Sequence, residues 1–294
     1  MFTITTDHLK LQLEVVPVES LLRHEKILPH VLDRLILEFK NWVNLLDPII
    51  VDKNNIVLDG NHRALAFRAL DFRYIAVCKI DYFNENTGLK YWFRLLENIE
   101  SIDLVQEIVE RMGGSFEYAK DKEHLKRHLE ENRLRFAIHY GSTYTIMSFE
   151  KDIVGDAVNA YDILERIQTD LIKFGIDMKY IPCQTVCEEN FYDELRPGQL
   201  VIWTPRITKG MVVEAAGKNR LFAPKTTRHV IPARPLNVNV PVHWFKEDIS
   251  LESINRKFSE FLKRKRLKRF GPGQVIHGRY YGEELFIFSE RKVF

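Results

Sequence analysis

One short segment concentrates groups able to handle a phosphate: Leu58-Asp59-Gly60-Asn61-His62-Arg63. Residues 56–58 read as a short strand, and a helix is expected from His62 to about residue 70, so the segment lies at a strand-to-helix junction. The first amides of a helix have no intrahelical acceptor, and together with the helix dipole they attract anions. Gly60 lets backbone approach an anion closely. His62 and Arg63 add donors, Arg63 in the forked geometry that suits phosphate oxygens. Asp59 could hold a metal ion or orient a donor beside the phosphates. Taken alone, the same residues are equally an Asp-Gly turn before a helix that opens with basic side chains. No Walker A loop is present: the nearest string, Gly210 to Gly217-Lys218-Asn219, has the wrong spacing and ends in Asn rather than Ser or Thr.

Other groups with reactive side chains are less organised. Cys78, Cys183 and Cys187 cannot all pair, and none stands in a CxxC spacing, so buried or incidental thiols in a reducing cytoplasm are the expectation. His124 and His128 lie four apart on a highly charged stretch, where a solvated helix face is favoured over a metal site. Residues 263–269, Lys-Arg-Lys-Arg-Leu-Lys-Arg, form a dense basic run that could meet nucleic acid, lipid or an acidic partner, although a solvated capping helix is the simpler reading.

The elements needed to position the junction are legible as alternating strand and helix signals. Residues 11–18 alternate as a half-buried strand, and a helix from Pro29 through about Val43 places Leu32, Leu35, Ile36 and Phe39 on one face. Short strands are expected at 48–51 and 56–58, and a further strand at 75–80. An extended piece near 89–93 follows. Beyond it come helices at 101–112, 121–133, 152–174 and 209–216, a hairpin of 135–140 with 144–149, and strands at 178–181 and 200–203. The last stretch reads as a helix over 251–268, then Gly271-Pro272-Gly273 and a short aromatic tail.

At 294 residues, about two domains are expected. The 43 basic residues against 41 acidic ones leave no global field drawing the molecule to nucleic acid or membrane. The amino terminus lacks the pattern of a secretion signal, and no stretch is long and apolar enough for a spanning helix. The expected division is 1–98, 99–248 and a C-terminal piece, 249–294. The fold class is α/β (α+β).

The hexad resembles the DG(x)HR signature of the ParB/sulfiredoxin-like superfamily, and within it the free serine kinases, whose version reads DGHHR. The resemblance extends to His24-Glu25 after the first strand, to Ile80-Asp81-Tyr82-Phe83 followed by Tyr91-Trp92, and to Phe222-Ala223-Pro224-Lys225-Thr226-Thr227-Arg228-His229-Val230-Ile231-Pro232. These motifs stand in the same order over roughly residues 11–245. Asn61 departs from the first His of DGHHR. It also stands where sulfiredoxins carry their catalytic cysteine, and an amide is no nucleophile. The chain lacks the GERR-type sequence of ParB proteins and a clear DNA-reading helix-turn-helix. The segment after Leu251 has no counterpart in the short kinases.

The resemblance implies a kinase that transfers a phosphoryl group from ATP or ADP to free L-serine, making O-phospho-L-serine for amino-acid biosynthesis. It implies Glu25 as general base, with Asp59 second as an orienting or Mg²⁺-linked group. Gly60, Asn61, His62 and Arg63 would bind the nucleotide's phosphates. Trp92, Lys225, Thr226, Thr227, Arg228 and His229 would bind the amino acid, and the reaction would take place in a cleft between an N-terminal ParB/sulfiredoxin-like domain and a second α/β domain. The competing readings are a ParB-like nucleotide-binding DNA regulator and the same chemistry on another hydroxy amino acid.

Overall fold

The computed structural model describes residues 2–39, 41–131, 134–183 and 195–291. The chain divides into two units, residues 1–88 joined by 229–294, and residues 89–228. This differs from the sequence expectation of 1–98, 99–248 and 249–294. The first boundary falls about ten residues earlier, and the C-terminal segment is part of the first unit.

In the first unit, the alternation of residues 11–16 builds the strand Lys10–Pro17, with Leu11 and Leu13 fully buried. A five-stranded sheet runs in the order Phe2–Thr5, Lys10–Pro17, Tyr74–Ile80, Ile49–Asp52, Val57–Asp59. Ile49–Asp52 is parallel to Tyr74–Ile80, and both are continuous apolar runs because both of their faces are covered. A parallel pair needs a crossover, and the helix Asn61–Ala69 supplies it. Ala64, Ala66 and Phe67 form its buried face. Phe67 is held edge-on by Phe39 (centroids 5.2 Å apart) and Phe245 (5.7 Å), and it also touches Phe72 (4.5 Å). The helix start is therefore anchored from behind by an aromatic cluster.

Residues 229–294 complete this unit. The helix Leu251–Arg264 buries Ile254, Phe258 and Leu262, one residue per turn. It docks on Lys10–Pro17 through Asn255, whose side chain accepts from the Val15 amide and donates to the Val15 carbonyl, both at 2.8 Å. Those two backbone groups lie past the end of the pairing with Phe2–Thr5, which stops at Phe2 opposite Leu13. The expected helix over 251–268 ends at Arg264; Arg266–Phe270 is instead a strand paired with Glu284–Ser289, which in turn runs parallel to Ala233–Leu236. The aromatic tail is thus β structure.

The second unit is built on a six-stranded sheet ordered Asp177–Pro182, Trp92–Glu97, Leu200–Trp203, Phe136–Tyr140, Thr143–Phe149, Gly114–Ala119. Every pairing is antiparallel. Period-two alternation sorts its side chains. Leu96, Phe136, Ile138, Leu200 and Ile202 pack with Val105, Ile108, Ile163, Leu164 and Ile167 of the helices Asp103–Arg111 and Ala157–Lys173. Leu95, Ala137, Val201 and Trp203 face Leu125 and Leu129 of Lys122–Glu131. The strand Gly114–Ala119 is not apparent from its sequence. The expected helix 152–174 is broken at Gly155, which takes φ 61°, and restarts with Asp156 as N-cap, its carboxylate accepting from the Asn159 amide at 3.0 Å.

Candidate functional site

The strand-to-helix junction forms as expected. Gly60 takes φ 104°, ψ 24°, a left-handed conformation, at the N-cap. A Cβ there would stand 2.5 Å from Ile49 Cγ2, so Gly is required by space as well as by dihedral. The first helical bond runs from the Ala64 amide to the Gly60 carbonyl at 2.9 Å, and no side chain caps the helix. The amides of residues 61–63 therefore precede the hydrogen-bond ladder. Arg63 Nη1 donates to the Asp47 carbonyl at 2.7 Å, which fixes the guanidinium beside the junction.

A cavity of about 450 Å³ opens on this junction, lined by residues 59–63 and by Arg34, Arg234, Arg279 and Tyr281. Arg234 Nη1 donates to Asp59 Oδ2 at 2.8 Å, and its Nε pairs with Glu283 Oε1 at 2.5 Å. Burial would raise the Asp59 carboxyl, but Arg234, Arg63 and Arg279 outweigh it and hold the group at about 2. Asp59 is thus an ionised anchor that orients Arg234. One carboxylate already committed to Arg234 among arginines does not suit Mg²⁺. No group of three or more His, Cys, Asp or Glu that could hold a metal occurs among the described residues.

The Leu28 amide donates to His62 Nε2 at 3.4 Å. The same contact brings the segment carrying Glu25 against the first turn of the helix. Glu25 itself is half-buried and is not among the residues lining the cavity. Its neighbour His24 is fully buried, and burial, followed by repulsion from His229, pushes its pKa well below the ordinary imidazole value. His229 belongs to this unit too. It stands edge-on to His24 (5.2 Å) and its Nε2 is 2.9 Å from the Tyr82 hydroxyl.

The remaining expected residues lie in the second unit. Trp92 Nε1 donates to the Thr227 carbonyl at 3.0 Å, and Lys225 Nζ lies 4.5 Å from the centre of the Trp92 ring. Lys225 is held at φ 60°, uncommon for a residue with a side chain. Thr226 is fully buried and its hydroxyl donates to the Ala223 carbonyl at 2.7 Å, so the one proton it can donate is engaged within the fold. Arg228 Nη1 donates to the Cys183 carbonyl at 2.7 Å. Sequence reasoning missed Arg94, which is fully buried and donates to the carbonyls of both Trp92 and Lys225 at 3.0 Å. It also missed Arg234 and Arg279.

Other candidates are absorbed by the fold. Cys78 is buried and its thiol is pushed up to about 12 by that burial; Cys183 is buried, and Cys187 lies outside the described residues. His124 Nδ1 accepts from the Lys120 amide at 3.2 Å, and His128 lies against the Arg135 guanidinium. In the basic run, Lys263 pairs with Glu260 (2.7 Å), Lys265 with Glu290 (2.6 Å), and Arg269 with Asp7 (2.8 Å) and Glu284. No helix among the described residues is long and apolar enough to cross a membrane.

No family model matches the chain. The fold is nevertheless one already seen: the chain superposes on a free serine kinase mutant in complex with AMP with a TM-score of 0.65 at 16% identity, covering 82% of this chain and 96% of that one. It thus has the free serine kinase architecture, as the hexad and the PKTTRH string implied. At the sequence level it is 28% identical over 242 residues to the ATP-dependent L-serine kinase of Staphylothermus marinus, covering 79% of this chain and 90% of the relative. The ADP-dependent L-serine kinase of Thermococcus kodakarensis is 24% identical over 190 residues, 63% of this chain and 71% of that protein.

Proposed function

We propose that this protein is a nucleotide-dependent L-serine kinase that makes O-phospho-L-serine. The observation that carries the reading is the arginine-lined cavity over the glycine N-cap of Asn61–Ala69, a pocket of positive charge and helix amides with the chemistry a phosphate chain requires. Relatives named as ATP- or ADP-dependent L-serine kinases along most of the chain supply the acceptor and the donor class.

Phosphoryl transfer asks the protein chiefly to position groups and neutralise charge. The amides of residues 61–63 and Arg63 bind the phosphates, and Arg234, held by Asp59 and Glu283, supplies further charge. Glu25 takes the proton from the serine hydroxyl as its oxygen bonds to the transferred phosphorus. The bond from that phosphorus to the bridging oxygen breaks, and the shortened nucleotide leaves with the electron pair. Lys225, Arg228 and Thr227 are assigned to the amino acid's carboxylate, with Trp92 as a pocket wall. His229 is assigned to holding the His24–Tyr82 cluster behind Glu25. Mg²⁺, if used, is carried in by the nucleotide's own phosphates, because Asp59 is taken. A reducing cytoplasm suits the buried thiols.

Ion pairs engage three of the six cations of residues 263–269 (Lys263, Lys265 and Arg269), which halves the charge that run would offer a phosphate backbone in the DNA-regulator alternative. The test is mass-spectrometric detection of phosphorylated product with serine, threonine and homoserine, each against ATP and ADP. Product from serine supports the reading. Product from threonine or homoserine alone changes the acceptor, and no product from any pair removes the assignment.

A further inference from the structure

The C-terminal hairpin reaches the same cavity. Gln274–Ile276 pairs antiparallel with Arg279–Tyr281, Ile276 opposite Arg279. The turn is made by His277 at φ 50° and Gly278 at φ 76°, the two left-handed residues that match a two-residue loop to the twist of its strands. Along an extended strand residues two apart point to one face, so the turn sets Arg279 and Tyr281 on the same side. Tyr281 is buried with Leu236 and Leu285, and the Gly273 amide donates to its carbonyl at 2.9 Å. With Tyr281 pinned, the Arg279 guanidinium stands 4.8 Å from the centre of that ring, and both side chains line the cavity over the junction.

Arg279 differs from the other arginines there. Arg234 lies between Asp59 and Glu283, and Arg63 donates to a carbonyl. Among the described residues the Arg279 side chain makes no hydrogen bond or ion pair, and the ring of Tyr281 is its contact. The cavity lining carries four arginines (34, 63, 234 and 279) against two aspartates (47 and 59), and Glu283 pairs with Arg234 from outside the lining. An arginine steadied by stacking, with its fork of donors open towards a cationic pocket, has the chemistry of a phosphate ligand.

We propose that Arg279 binds the phosphate chain of the donor nucleotide, so that the C-terminal hairpin forms one wall of the donor site. This rests on the phosphates occupying the junction at residues 59–63. The test is calorimetric titration of the full-length protein with ADP and ATP, together with steady-state kinetics and the melting temperature without ligand, for the parent, Arg279→Gln and Arg279→Lys. Arg279→Gln is expected to weaken binding of both nucleotides about tenfold, as the loss of a charge-assisted hydrogen bond does, and to raise the nucleotide KM while leaving the serine KM and the melting temperature unchanged. Arg279→Lys is expected to recover part of the affinity, since it keeps the charge and loses the fork. Parent-like affinity in Arg279→Gln overturns the proposal and leaves the kinase reading standing. So does an equal rise in both KM values with a lowered melting temperature, which marks a structural role. If the parent binds neither nucleotide, the kinase reading fails first.

Discussion

Glu25 and Gly60 ask different things of a substitution. Glu25 is proposed as the base that takes the acceptor's proton, so Glu25→Gln is expected to lower kcat by about 10²–10⁴-fold with nucleotide affinity kept, read by kinetics beside calorimetry. A loss of nucleotide binding instead would move Glu25 to the donor site. Gly60 acts through backbone alone. At φ 104° with Ile49 in the path of any Cβ, Gly60→Ala is expected to cost about 2 kcal/mol or more in denaturant unfolding and to weaken nucleotide binding as well. The helix start at Gly60, Asn61, His62 and Arg63 was legible because it is local: four consecutive residues carry it. Arg234 and Arg279 were not, because a lone arginine in Ala-Arg-Pro-Leu or Gly-Arg-Tyr-Tyr carries no local mark of what it will face. The Thr226 hydroxyl shows the converse. A hydroxyl in a motif looks available until the fold shows it bonded to the Ala223 carbonyl.

Among the elements, the helix Leu251–Arg264 shows how periodicity and tertiary contact divide the work. Its start at residue 251 was expected, and Ser250 caps it, the hydroxyl accepting from the Ser253 amide at 3.2 Å. Its end was not. Lys and Arg at 265–269 are good helix formers, yet pairing with Glu284–Ser289 draws them into a strand. The docking of the helix depends on Asn255, which satisfies both exposed backbone groups of Val15. Asn255→Ala leaves them without a protein partner and is expected to cost about 1–3 kcal/mol, measured as a fall in the denaturant midpoint at unchanged slope. An unchanged midpoint would mean that water replaces the amide at no cost.

For the molecule as a whole, acid is the informative perturbant. The folded His24 pKa lies below its unfolded value near 6.5, so the unfolded chain binds a proton more readily. The stability this neutral histidine allows is fully present above about pH 6.5 and is lost as pH falls towards its folded pKa. Asp59, with a folded pKa of about 2 against 3.8, gives up its contribution only at lower pH, below about 4. Unfolding free energy is therefore expected to fall as pH drops below about 6.5, and this slope should flatten in His24→Asn. A slope unaffected by that substitution would place the acid sensitivity elsewhere. At the same scale, residues 229–294 belong to the unit begun by residues 1–88, a return that no composition shift announces.

By itself the sequence determined what depends on neighbours along the chain: the strand alternation of residues 11–16, the helical stripes, the glycine-led helix start, and a string of motifs sufficient to name an architecture. Tertiary structure alone decided which distant arginines line the cavity, which carboxylates hold them, which threonine turns inward, and where the last 66 residues (229–294) go. The physical reason is range. Dihedral preferences and hydrophobic periodicity act over a few residues, whereas charge pairing and strand pairing join groups whose separation along the chain (175 residues for Asp59 and Arg234) leaves no trace in local pattern.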